Sequence, residues 1–274
     1  MKNILIPTDF SQNAKKATDY ALSLFNEQDI TITLLNVFYI PYASADVVYS
    51  YSDIANENVT QLFKHELERI NKKFPDLKAK IKTSFHAGDV INVVCSIEKK
   101  EKIDLIVMGT QGASGLAEVF MGSRTTAMIK NVKTPVLAVP EQAQYKPAKR
   151  ILFAAGEKLI GQKVNIAVLK EIANRNQSKI EALYVSDCDE NKESIIQSID
   201  GELNLNFGEI PCDLIVKDGL NVEKEIQKYA EQHPIDLMAM ITSRGSIFHE
   251  SVTKLVAMHT KLPLLVMHTN TKTD

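Results

Sequence analysis

Short apolar, β-branched runs alternate along this chain with longer segments in which apolar positions recur every three or four residues. The runs fall at residues 4–6, 30–38, 81–85, 103–108 and 135–139 and predict five strands in the first half. Between them Ala14, Ala17, Ala21 and Leu24 form one helical stripe, and Val90, Val93, Val94 and Ile97 form another. Strands that are apolar at nearly every position are buried on both faces, which predicts a parallel sheet with helices on each side.

The pattern then repeats. KNILIPTD from Lys2 returns as KRILFAAG from Lys149, IDLIVMG from Ile103 as IDLMAMI from Ile235, and KTPVLAVP from Lys133 as KLPLLVMH from Lys261. The matches keep their order, so the repeating unit is a whole domain. Strands of the second unit are expected near Ile151, Ile180, Leu214, Leu237 and Leu264. The domains are expected at residues 1–141 and 148–270, joined by a polar stretch with two prolines that suits a short, stiff connection. Residues 37–88 carry more chain than their counterpart, including a helix with Val59, Leu62, Phe63 and Ile70 on one side.

Composition narrows the function classes. Lys and Arg total 32 against 34 Asp and Glu, so a net charge of -2 gives no electrostatic reason to expect nucleic acid or an anionic membrane. The first apolar run is too brief for a signal peptide, and no later run is long enough to span a bilayer. Cys95, Cys188 and Cys212 lie far apart without a CxxC pair, which fits thiols used for packing in a reducing compartment. A cytoplasmic protein is expected.

Candidate chemistry sits after the fourth strand, where the sequence runs GTQGASGLAEVFMGS from Gly109 to Ser123. Glycines let backbone approach an anion closely. Gly122 and Ser123 open the next helix, whose unpaired N–H groups and dipole favour negative charge. The first strand ends at Pro7, Thr8 and Asp9. In open α/β sheets, ligands bind outside the carboxyl ends of strands where the strand order reverses. A carboxylate there accepts hydrogen bonds from a ribose or an adenine amino group, or it caps the following helix.

The spacing G, two residues, G, nine residues, G and Ser, preceded by a strand ending VMG, resembles the ATP-binding signature of universal stress proteins. NILIPTDFS is similar to that family's first strand and its Asp. The resemblance implies two tandem Rossmann-like α/β domains of the adenine-nucleotide alpha-hydrolase type, each a five-stranded parallel sheet in the order 3-2-1-4-5 with helices on both faces. ATP would lie across the ends of strands 1 and 4, with magnesium held through phosphate oxygens. Pro7, Thr8, Asp9 and Val37 would then hold adenosine. Met108, Gly109, Gln111 and Gly112 would follow the ribose and first phosphate, and Gly122, Ser123, Arg124 and Thr125 the outer phosphates. Arg124 departs from the small or apolar residue the pattern expects, and as a cation it either strengthens phosphate binding or faces solvent. In the second unit Gly156 replaces the Asp, Ile241 replaces the first glycine, and Glu250 stands before Ser251 where Gly122 stood. A carboxylate there satisfies the helix terminus itself and repels phosphate.

The six histidines show no metal-ligand spacing, HESVTK from His249 lacks a zinc protease's second His, and neither a Walker A lysine nor a GxSxG turn is present. Three functions stay open. They are an ATP-binding regulatory stress protein, a slow ATP-hydrolysing or nucleotide-transferring enzyme of the same fold group, and a nucleotide-free interaction scaffold. The last strands of the two units are expected to pair as an intramolecular pseudo-dimer, hiding edges that would otherwise invite association, with a homodimer and an unknown protein partner as further possibilities.

Overall fold

A computed structural model describes residues 1–38, 45–110, 122–156, 159–161, 164–186, 192–242 and 261–269, with side chains for all of these except 45–56. The first half runs β1 (Asn3–Pro7), α1 (Gln12–Leu24), β2 (Thr31–Phe38), α2 (Ala45–Lys73), β3 (Lys80–Ala87), α3 (Val90–Lys100), β4 (Leu105–Gly109), α4 (Ser123–Asn131) and β5 (Val136–Val139). The second runs β6 (Arg150–Ala154), α5 (Ala167–Asn176), β7 (Lys179–Ser186), α6 (Lys192–Phe207), β8 (Cys212–Asp218), α7 (Val222–Gln232), β9 (Leu237–Thr242) and β10 (Leu264–His268).

All the strands join one sheet in the order β3-β2-β1-β4-β5-β10-β9-β6-β7-β8, so each half has the expected order 3-2-1-4-5. Neighbours run parallel except at the central seam. There β5 and β10 pair antiparallel, with Leu137 opposite Leu265 and Val136 opposite Val266. The seam hides the edge that each half would otherwise expose beyond its fifth strand.

The repeat extends to individual hydrogen bonds. Thr8 N–H donates to Leu35 O at 2.8 Å, and Ala155 N–H donates to Leu183 O at 3.0 Å. Asp104 accepts Asn3 N–H at 3.0 Å where β1 begins, and Asp236 accepts Arg150 N–H at 2.9 Å where β6 begins. With the strand registers, these bonds equate Asp9 with Gly156 and Gly109 with Ile241.

Strand alternation divides the core between the two faces of the sheet. Ile4, Ile6, Leu105, Val107, Leu137 and Val139 pack with α1 and α2, and the same layer continues through Leu265, Met267, Ile151 and Phe153. Leu5, Ile106, Val136 and Ala138 pack on the opposite face with Met128 and Ile129 of α4, continuing through Leu264 and Val266.

Two elements depart from the sequence expectation. Leu62 is 44% exposed, because Val59, Phe63 and Ile70 share the buried face of α2 with Glu66. The Glu66 carboxylate is held by both Arg69 Nε and Nη2, and Arg69 also reaches Asp19 of α1 at 2.7 Å. Partial burial would lower the Arg69 pKa, but the Glu66 and Asp19 carboxylates outweigh it and the guanidinium is held above its ordinary value. A fully paired acid can therefore take a core-facing turn. In the second half, helix α5 starts thirteen residues after the end of β6, whereas α1 starts five after the end of β1. The intervening chain buries Leu159 and Ile166, and Val164 forms an antiparallel bridge with Thr269 beyond β10. Gly161 at φ +63° turns this segment, a conformation that a side chain resists.

Candidate functional site

The carboxyl ends of β2, β1 and β4 lie side by side, because β1 pairs with β2 on one side and β4 on the other. From β1 the strands are added first on one side, as β2 and β3, and then on the other, as β4 and β5, so these ends form the switch point of the first half.

Polar bonds shape the end of β1. Thr8 is buried, and its carbonyl accepts Asn36 Nδ2–H at 2.8 Å while its hydroxyl oxygen accepts Phe10 N–H at 3.0 Å. Phe10 is left-handed at φ +60°, and its ring meets Phe63 edge-on at 5.1 Å. That backbone is costly for a bulky residue, so the surrounding contacts must hold it. Ser11 caps α1 by accepting Ala14 N–H at 3.2 Å. Asp9 Oδ1 accepts Ser11 N–H at 3.0 Å, one step before the cap. The helix cap thus belongs to Ser11, and Asp9 stands exposed at the strand end.

Pro7 and Val37 are half-buried, and Met108 is buried. At Gly109, an added Cβ would stand 2.7 Å from Asn13 Cγ, so any other residue would displace a buried side chain of α1. The Gly109 carbonyl accepts the Thr125 hydroxyl at 2.9 Å. Thr110 N–H donates to Val139 O, and Gly122 N–H donates to Thr110 O, pinching the base of the intervening loop. Gln111 and Gly112 lie outside the described residues.

Helix α4 then starts from Gly122 at φ −57° and ψ 152°, and as a glycine this N-cap residue offers no side chain to cap the first amides. Uncapped amides at a helix start are donors aimed at an anion. Ser123 and Arg124 are exposed beside them, whereas Thr125 is buried with its hydroxyl committed to Gly109. The structure therefore gathers Pro7, Thr8, Asp9, Val37, Met108 and Gly109 at three neighbouring strand ends, and links them to Gly122 through Thr110 and Thr125. Asn13 and Asn36 belong to this site and escaped the sequence reading. Asn36 was detectable as a polar residue inside the apolar run TITLLNVF, but nothing in the sequence placed Asn13 under Gly109.

The second half has no counterpart to Asp9, and Ile241 occupies the glycine position. Glu250 and Ser251 lie outside the described residues, as does Cys188. Among the described residues, no group of three or more His, Cys, Asp or Glu could hold a metal ion, and no helix is long and apolar enough to cross a membrane. Burial and the Asp213 and Asp200 carboxylates push the Cys212 thiol up to about 12, which disfavours the nucleophilic thiolate.

Comparison with known proteins places the family and the fold. The chain is 32% identical over 143 residues to universal stress protein MJ0531 of Methanocaldococcus jannaschii, covering 50% of this chain and 81% of that protein. It is 30% identical over 152 residues to universal stress protein MJ0577 of the same organism, covering 94% of it. The crystal structure of a universal stress protein from Archaeoglobus fulgidus aligns with 97% of this chain and 98% of its own at a TM-score of 0.69 and 20% identity, a likeness of fold. The model of the universal stress protein family matches residues 1–140, which include every residue of the site just described, and the chain belongs to that family.

Proposed function

We propose that the chain is a nucleotide-binding regulatory protein of the stress response that holds one ATP, at the strand ends of its first half. Asp9 accepts hydrogen bonds from the adenosine, Gly109 lets the backbone approach the ribose and first phosphate, and the amides that open α4 receive the outer phosphates. The observation that carries this reading is the start of α4, where Gly122 leaves the first amides without a side-chain cap beside the chain turn at Gly109. Such a terminus suits a polyanion. In this reading magnesium is carried on the phosphate oxygens.

Residues 1–141 form the binding domain in this reading, and 148–270 a degenerate copy. Gly156 offers no carboxylate and Ile241 places a branched side chain where backbone would meet the ligand. Purification of the full chain followed by mass identification of retained nucleotide tests the proposal. ATP at close to one equivalent is the expected result, and a chain that neither retains nor binds adenine nucleotide would reject it.

A further inference from the structure

Among the described residues, the second half packs against α4 of the first half and also makes a side-chain hydrogen bond to it. In β10, Leu264 and Val266 face the layer that contains Met128 and Ile129 of α4, while Leu265 and Met267 face the other. Strand alternation therefore turns His268 toward α4. Its Nε2 lies 2.8 Å from the Ile129 carbonyl, and only 4% of the residue is exposed. A carbonyl cannot donate, so Nε2 carries the proton.

That carbonyl is one of the last four of α4, which a helix leaves without intrahelical partners. Val132 N–H serves Met128 O at 3.1 Å, and His268 serves Ile129 O. The backbone that carries the imidazole is itself held in place. His268 pairs with Thr242 in the β9–β10 register, and the next residue, Thr269, donates to Thr242 O at 3.0 Å and bridges to Val164.

We infer that His268 is a positioning residue for the first half's phosphate site. It clamps the carboxyl end of α4, and so fixes the helix whose amino end receives the phosphates. The degenerate half thereby completes the site of the intact half. This inference rests on the nucleotide reading above. It implies a selective effect, because α4 is assigned to phosphate and the adenosine is held by β1, β2 and β4.

The test compares Mg-ATP with adenosine by titration calorimetry on the full chain, for the wild type, His268→Asn and His268→Gln. Glutamine places an amide donor near the Nε2 position and keeps the bond, whereas asparagine is too short to reach Ile129 O. His268→Asn should bind ATP about threefold to tenfold more weakly with adenosine affinity unchanged, the range expected for one hydrogen bond. His268→Gln should restore it. If His268→Asn lowers the melting temperature but keeps the wild-type ratio of ATP to adenosine affinity, His268 is only a fold contact and the inference fails. If the wild type binds adenosine but gains nothing from the phosphates, the assignment of α4 fails and the inference with it. If the wild type binds neither, the nucleotide reading itself is overturned.

Discussion

The two halves of this chain make the same hydrogen bond at the same strand end, from Thr8 to Leu35 in one and from Ala155 to Leu183 in the other. Beyond that point they diverge. In the first half the chain makes a tight turn through a left-handed Phe10 and enters α1 at once, so that Asn13 lies against Gly109. In the second half it wanders through Leu159 and Val164 before α5 begins, and Ile241 takes the glycine's place. The backbone frame of a strand end is therefore common to both, whereas a binding site also needs the adjoining turn, a helix start and a position free of a side chain. The second half kept what the sheet requires. It also covers the edge at β5, and its His268 bonds the far end of α4.

The comparison breaks most completely at Gly109. Gly109→Ile gives the first half the residue of the second, and its side chain must displace the buried Asn13. We expect loss of measurable ATP binding together with about 1–3 kcal/mol of stability, the range for overpacking a core. Calorimetry and a denaturant titration of the same sample check both parts.

Next comes Gly122→Glu, which copies the residue that the sequence aligns there in the second half. The carboxylate would occupy the open amides and stand about 4 Å from phosphate. That repulsion is ~1 kcal/mol in bulk water and ~4 kcal/mol at an effective dielectric near 20, so affinity should fall by roughly one to three decades. Folding should be unaffected, since a carboxylate suits a helix start.

Asp9→Ala is milder. Ser11 supplies the helix cap, so the fold should tolerate the change while ATP affinity falls roughly tenfold to hundredfold, the value of a charged hydrogen bond of about 1.5–3 kcal/mol. Unchanged affinity in a folded variant would confine Asp9 to the turn before α1.

A separate effect concerns pH and belongs to the second half. In the folded chain burial and nearby carboxylates push the Cys212 thiol up to about 12, against about 8.5 when unfolded. A native group that holds its proton more tightly contributes stability that is whole below the unfolded pKa and is lost as pH rises through the folded one. Stability should therefore decline between about pH 8.5 and 12. Cys212→Ser, whose hydroxyl does not titrate there, should show a shallower decline in denaturant midpoints. An equal slope in the two proteins would remove Cys212 from the account.

Much of this was legible from the chain. Apolar runs marked the strands, near-continuous in the inner ones and broken by polar residues in the exposed edge strand β3, and the three repeated segments gave the equivalence of the halves because each lies in an inner strand, where burial on both faces restricts substitution. What was hidden depends on three-dimensional register. Leu62 fits a helical stripe, yet Glu66 takes its place because Arg69 neutralises that acid. Asn13 meets Gly109 only once α1 is laid across β4. His268 looks like an ordinary polar end to a strand until antiparallel pairing at the seam brings it to a helix of the other half. The burial of Leu159 and Ile166 ahead of α5 was also hidden, since these residues stand among polar ones with no period that marks an element.

The most direct test of the central claim is the stoichiometry of Mg-ATP binding to the full chain by titration calorimetry, with Gly122→Glu measured alongside. The account predicts one site per chain, and its near-complete loss in the variant. Two comparable sites per chain, or a variant that binds as the wild type does, would contradict it.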